Sequence, residues 1–321
     1  MSRTMSVWLM GVGLAGIAGS SSCNLTKTFT RQAIGQQIDY INAPGVAESR
    51  LEKVAPSVWT FNWYFDRTLI VETEDGLVVV DPFSRELTEE LVKAMANAGL
   101  ERPVHTLVYT HFHLDHTRGG EHLSPRHVVC HARCDGWWAR FPPDETKDVL
   151  PCTQTVQGDH TLRVGETEIV LVDLGRSHTD TMYAVFLPKQ GVLYAADTVA
   201  VRALLPAGGV SVFMPDYLAA LDRIEGLDFE VFVPSHFGWG RKDDFVEAAE
   251  MQRQSWAWIH QAIHRSPPTG DLPLVNDQER VVAAYSWYFD RMKERYGDWY
   301  GFDAQILPTF LNGFIAIYVG S

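Results

Sequence analysis

Seven residues of this chain have the types and order of a metal-ligand set: His111, His113, Asp115, His116, His178, Asp197 and His236. The first four share one run, HFHLDH, directly after the strand-like stretch VHTLVYT. Imidazole nitrogen and carboxylate oxygen are donors that zinc prefers, and no cysteine is needed to complete the set. The one-residue gap between His111 and His113 lets a loop leaving a strand aim both rings at one ion. His178, in GRSHTDT, would complete that site. Asp115 and His116 stand at the mouth of the following helix, where acidic groups suit the electrostatics, and turn towards a second ion. His236, in VPSHFG, would complete the second site, and Asp197, in YAADT, is the natural carboxylate bridge. Two cations about 3.5–4 Å apart share a water and lower its pKa from 15.7 towards about 7. The correlated spacing carries this reading, because any one His alone is more often a hydrogen-bonded core or surface residue. His105, His122, His127, His131, His160, His260 and His264 are assigned to that ordinary role. No GxSxG elbow is present, which argues against a covalent serine route.

The elements that must position these donors are short apolar runs beginning at Val54. VWTFN and TLIVET lead into the turn Glu74-Asp75-Gly76, and LVVVDPF follows, which is a hairpin with its turn chemistry intact. Leu87, Leu91 and Met95 have helical spacing, and Gly99 ends that helix. Strands follow at 104–110 and 127–131, with a short helix opening at the motif and another through Trp137 and Trp138. The stretch from Phe141 to Gly158 carries three prolines and reads as a loop. EIVLVDL, MYAVFLP, VLYAAD and FEVFVPSH are strands, with a helix from Asp216 to Glu225. Hairpins of strands with helices between them predict two mixed sheets, each covered on its outer face by helices: an αββα sandwich. Beyond Arg241 two helices, about 243–265 and 277–296, form a helical C-terminal extension separated by SPPTGDLP. The expected organisation is 1–22 export signal, 23–53 tether or arm, 54–242 catalytic domain and 243–321 extension.

With 321 residues, 46% hydrophobic and 21% charged, the chain has the makings of a sizeable core. Its net charge of −13 argues against nucleic acid as a partner, because phosphate binding draws on clustered Lys and Arg. Arg3, the apolar stretch Val7 to Gly19 and the serines before Cys23 read as an export signal, too short to span a bilayer comfortably. Export would place the protein in the periplasm or cell envelope. Cys23 is a candidate lipid-attachment residue, and so a membrane tether, although three serines precede it where that signal usually has a Leu. Cys130, Cys134 and Cys152 remain, and their pairing cannot be read from spacing. The Cys130-x3-Cys134 interval is a weak metal signal, and two buried structural thiols fit it better.

The order HxHxDH, followed by His, Asp and His at the ends of successive strands, resembles the metallo-β-lactamase superfamily over residues 54–240. Asp81, after LVVV, matches that family's first-strand Asp, a supporting residue rather than a ligand. In VPSHFG, Ser235 and Phe237 depart from the commoner PGHG. The resemblance implies a dinuclear zinc hydrolase, with iron or manganese as alternative metals. A metal-bridging hydroxide would attack an ester-, lactone-, thioester- or lactam-type bond, and Asp115 would orient the water and handle its proton.

Several members of that family compete as templates. True β-lactamases commonly lack the bridging Asp that Asp197 supplies. Signal-molecule lactonases often carry a Tyr three residues beyond it, where this chain has Ala200. Glyoxalase II-like thioesterases need glutathione-binding basic and Tyr residues that are not recognisable here. A mononuclear iron dioxygenase uses fewer ligands, and a diiron flavoprotein has Glu where this chain has His113. A non-catalytic metal-binding module of the same fold is the last alternative. Phe61, Trp63, Tyr64 and Phe65, with Trp137, Trp138 and Phe141, flank the expected cleft and suggest a small apolar or aromatic substrate. The aromatic-rich tail reads as packing onto the catalytic domain, with a homodimer face or a lid as the sharper alternative.

Overall fold

A computed structural model of the chain describes residues 49–205, 214–265 and 278–319, together with Gly35, Asp39 and Tyr40. The expected export signal and Cys23 lie outside the described residues. The first sheet has the order β1 (Arg50–Ala55), β2 (Val58–Trp63), β3 (Asp66–Thr73), β4 (Gly76–Val80), β5 (Val104–Val108), β6 (His127–His131) and β7 (Gln154–Val156). The second runs β8 (His160–Val164), β9 (Thr167–Asp173), β10 (Tyr183–Leu187), β11 (Val192–Tyr194), β12 (Val231–Val233) and β13 (Gly240–Arg241). Both are mixed: β4 to β7 run parallel in the first, and β11 pairs parallel with β12 in the second. The helices are α1 (Arg85–Asn97), α2 (Leu114–Thr117), α3 (Cys134–Trp138), α4 (Pro143–Thr146), α5 (Met214–Glu225), α6 (Lys242–Arg265), α7 (Gln278–Tyr296) and α8 (Phe302–Val319).

Strand periodicity builds the layers. On β4, Val78 and Val80 face the second sheet, whereas Leu77 and Val79 face outward towards α1. On β11, Val192 and Tyr194 join the inner core, and Leu193 joins the outer one. The β3–β4 turn needs Gly76, whose φ is 137°; a Cβ there would lie 2.5 Å from the Pro103 carbonyl oxygen. Helix α1 starts where the Ser84 hydroxyl accepts the Leu87 N–H, and it buries Leu87, Leu91 and Met95. The molecule is therefore an αββα sandwich with a helical C-terminal region.

Four local expectations are corrected. Arg50–Lys53, read as part of the arm, pair with β2 as the first strand. The stretch from Phe141 to Gly158 is not all loop, because α4 and the parallel strand β7 lie within it. Cys130 is not a thiol: it is disulfide-bonded to Cys152, leaving Cys134 as the free, buried cysteine among the described residues. A third helix, α8, closes the C-terminal region. Its sequence is apolar all round and interrupted by Pro308, so no amphipathic period marks it. From this region Ile259, Tyr288, Phe302, Ile306 and Phe310 share one core with Leu193 and Phe232 of the second sheet. Among the described residues, no helix is long and apolar enough to cross a membrane.

Candidate metal centre

The site forms at one end of the sandwich, where chain segments leave β4, β5, β9, β11 and β12. Asp81 follows β4 at φ 52°, and its carboxylate is fully engaged. Oδ1 accepts the Thr110 N–H at 2.8 Å, and Oδ2 accepts the Thr110 hydroxyl at 2.7 Å. Oδ2 also accepts His116 Nδ1–H at 3.0 Å and, at 3.2 Å, shares the Tyr194 hydroxyl proton with the Arg67 carbonyl. Because Thr110 spends its single proton on Asp81, its oxygen can only accept from His111 Nδ1, 3.0 Å away. Neutral His111 therefore carries its proton on Nδ1 and a bare lone pair on Nε2. The Nε2 atoms of His111 and His116 are buried and find no well-directed hydrogen bond, only the Asp197 carboxylate nearby. Buried nitrogens normally find partners, and unsatisfied ones held in a cluster are what a cation would use.

Asp197 lies between the rings. Its Oδ2 is 3.4 Å from His111 Nε2, 3.1 Å from His116 Nε2 and 3.2 Å from His178 Nε2. Its Oδ1 is 2.8 Å from His236 Nε2. His178 Nε2 also lies 3.0 Å from His113 Nδ1. Two groups of donor atoms, each mutually within 4.8 Å, could hold a metal ion: His111, His113, His178 and Asp197, and Asp115, His116 and His236. A third such group, Asp81 with His111 and His116, is less suited, since Asp81 already accepts four hydrogen bonds. Asp115 is the outlying donor: its side chain is 68% exposed, with Oδ2 3.9 Å from His116 Nε2.

The electrostatics differ across Asp197. Burial, reinforced by His116, pushes His111 down to about 3. Burial and the neighbouring His178 push His113 down to about 4. Burial alone would also lower His236, but Asp197 and Asp66 outweigh it and lift that ring to about 9. His116 is raised well above its usual value against burial, by Asp197 and Asp115. Burial opposes the charge on Asp197, yet His116, His236 and His178 hold it well below the ordinary carboxylate range. Protons thus sit beside Asp197 where a cation would displace them.

The structure brings all seven expected residues to one end of the fold, and it adds others. Asp66, at the start of β3, places Oδ1 3.2 Å from His236 Nδ1. No motif marks it, and a backbone bridge between Asp66 and His236 brings it there. Thr110 follows VHTLVY directly and works through Asp81. Among the aromatic candidates, Phe65 stacks on His236 with centroids 4.9 Å apart. Phe112 lies 4.8 Å from His113 and stacks on Trp137 at 4.6 Å. Phe61 and Trp138 instead belong to the core under the first sheet. Further out, Phe237 meets Tyr40 and Tyr300, each at 5.5 Å, so the N-terminal arm and C-terminal region reach the loop beyond His236.

Known proteins agree with this architecture. A relative 32% identical over 195 residues is the 2,4-dinitroanisole O-demethylase subunit alpha of Nocardioides sp. (strain JS1661). The match spans 58% of this chain and 57% of that relative, less than two thirds of its length. Among solved structures, a metallo-beta-lactamase from Pontibacter korlensis superposes with a TM-score of 0.54 at 24% identity, covering 63% of this chain and 98% of its own. A metallo-beta-lactamase from Erythrobacter litoralis gives 0.51 at 19% identity, covering 63% and 96%. At these identities the two structures establish the fold alone. The family model for the metallo-beta-lactamase superfamily matches residues 66–236, more than half of the chain and the whole ligand-bearing region, so this chain belongs to that superfamily.

Proposed function

We propose that the chain is a metal-dependent hydrolase with two divalent cations, zinc first among them. His111, His113 and His178 would hold one, Asp115, His116 and His236 the other, with Asp197 between them. The observation that carries this reading is the placement of Asp197, whose carboxylate lies within 3.4 Å of His111 and His178 in the first group and of His116 and His236 in the second. Cations bound there supply Lewis-acid polarisation of a carbonyl-type oxygen and make water acidic enough to ionise near neutral pH. His111 and His113 offer neutral nitrogens at that pH. Asp115, exposed at the rim, would orient a water and take its proton. Phe65, Phe112 and Trp137 border the donor rings and favour an apolar or aromatic substrate bearing an ester, lactone, thioester or lactam bond.

The 32% identical relative favours a second substrate class, because its name states removal of a methyl group from the oxygen of a nitroaryl ether. Export, a lipid tether at Cys23 and self-association through the C-terminal helices complete the proposal. The mass of the mature chain and its size in solution test those three points.

The deciding experiment measures metal content and turnover on one sample. The panel holds lactams, lactones, thioesters, phosphoesters and a nitroaryl methyl ether. Two zinc per chain, with turnover lost on chelation and restored by zinc, is the expected result. Turnover that survives complete metal removal would overturn the reading, and a single iron with oxygen-dependent products would replace it with a dioxygenase.

A further inference from the structure

Asp197 presents its carboxylate from an awkward backbone. Its φ is 48°, in the left-handed region that residues with a side chain seldom occupy. Such a conformation persists where the surroundings over-determine it. Here the constraint comes from Ser235, one residue before His236. The Ser235 hydroxyl accepts the Asp197 N–H at 3.1 Å and donates its own proton to Asp197 Oδ1 at 3.0 Å. One side chain therefore fixes both the backbone and the carboxylate of Asp197.

The fold holds Ser235 itself from behind. Strands β11 and β12 run parallel with Tyr194 opposite Val233, so the segments leaving them travel side by side. The Ser235 carbonyl accepts the Arg67 N–H at 2.6 Å, which ties it to β3. Ser235 is fully buried, so water does not compete for its hydroxyl. Its proton goes to Oδ1, the oxygen facing His236, and this leaves Oδ2 turned towards His111, His116 and His178. A carboxylate free to rotate would lose its simultaneous reach to the four rings.

We infer that Ser235 is a positioning residue that sets the backbone and rotation of Asp197, so that one carboxylate serves both donor groups. The inference rests on the metal-centre reading above. Ser235→Ala keeps the backbone bond to Arg67 and removes both hydroxyl bonds, while Ser235→Thr keeps a hydroxyl. The test uses the full chain, titrated with Zn2+ against a chromophoric chelator and with Co2+ by visible absorption, which needs no substrate.

Ser235→Ala is expected to weaken zinc binding by about 10–100-fold and to shift the Co2+ bands, and Ser235→Thr to restore both. Wild-type affinity and bands in Ser235→Ala would overturn the inference. If Ser235→Ala does not fold, Ser235→Gly is measured in its place with the same expectations. Failure of both to fold as metal-free proteins would make the residue purely structural and overturn it too. A wild-type chain that takes up no metal would sink the metal-centre reading and this inference together. Wild-type uptake with an unaltered Ser235→Ala would sink only the latter.

Discussion

Both donor groups beside Asp197 are built around imidazoles, three in one and two with Asp115 in the other, but different neighbours stand behind their rings. In one, His111 is backed by the Thr110 hydroxyl at 3.0 Å, and His113 lies against His178 at 3.0 Å. In the other, His116 is backed by Asp81 at 3.0 Å and His236 by Asp66 at 3.2 Å. The first pair is pushed to about 3 and about 4, whereas His236 is lifted to about 9. Residue type alone does not decide an imidazole's protonation at neutral pH. A carboxylate behind the ring and another in front of it outweigh burial, and a hydroxyl or a second ring does not.

The largest effect is expected from Asp197→Ala, which strikes both groups at once. Zinc should be lost from both and turnover abolished; two zinc per chain in this variant would show that the carboxylate is not shared. Single-group variants come next. His178→Ala and His236→Ala should each retain about one zinc, as expected when one of two sites in a dinuclear centre is dismantled. Loss of both ions from either variant would show that the groups load as a unit.

Removing the backing carboxylates sharpens the contrast further. Asp81→Asn should lower zinc affinity by about 10–100-fold. Asp66→Asn should do less, because Asp81 orders four donors around it and Asp66 backs one ring. Equal losses would undo that ranking.

Last comes a pH dependence, read as a slope rather than as a loss of binding. His236 is protonated below about 9 in the metal-free protein, so cation binding there must displace a proton. His116, in the same group, is raised as well, so the affinity of that group should rise with pH across the neutral range, by about tenfold per unit for each proton displaced. The His111 and His113 group has already lost its protons at neutral pH and should respond little. Zinc titrations of His178→Ala and His236→Ala between about pH 6 and pH 9 separate the two slopes. Parallel slopes would contradict the electrostatic difference.

Much of this was legible in the chain because it is written locally. The short apolar run Leu77–Val80 and the helical spacing of Leu87, Leu91 and Met95 announce the elements, and the run HFHLDH announces the candidate donors. Helix α8 was hidden because apolar residues on every side erase the period. Strand β7 was hidden among prolines, and what secures it is a pairing with β6. Asp66 carries no motif around it and reaches His236 through an isolated backbone bridge, flanked by the Arg67 bond to the Phe237 carbonyl and the Phe65 stack on His236.

By itself the sequence determined the layered class of the fold and picked out seven candidate donors in their order along the chain, since periodicity and residue chemistry are properties of short segments. Tertiary structure alone decided which carboxylate backs which imidazole, which cysteine partners Cys130, and that the Ser235 hydroxyl grips Asp197 from 38 residues away. Hydrogen bonds act over about 3 Å, and only the folding of β3, β11 and β12 against one another brings such distant residues within that range.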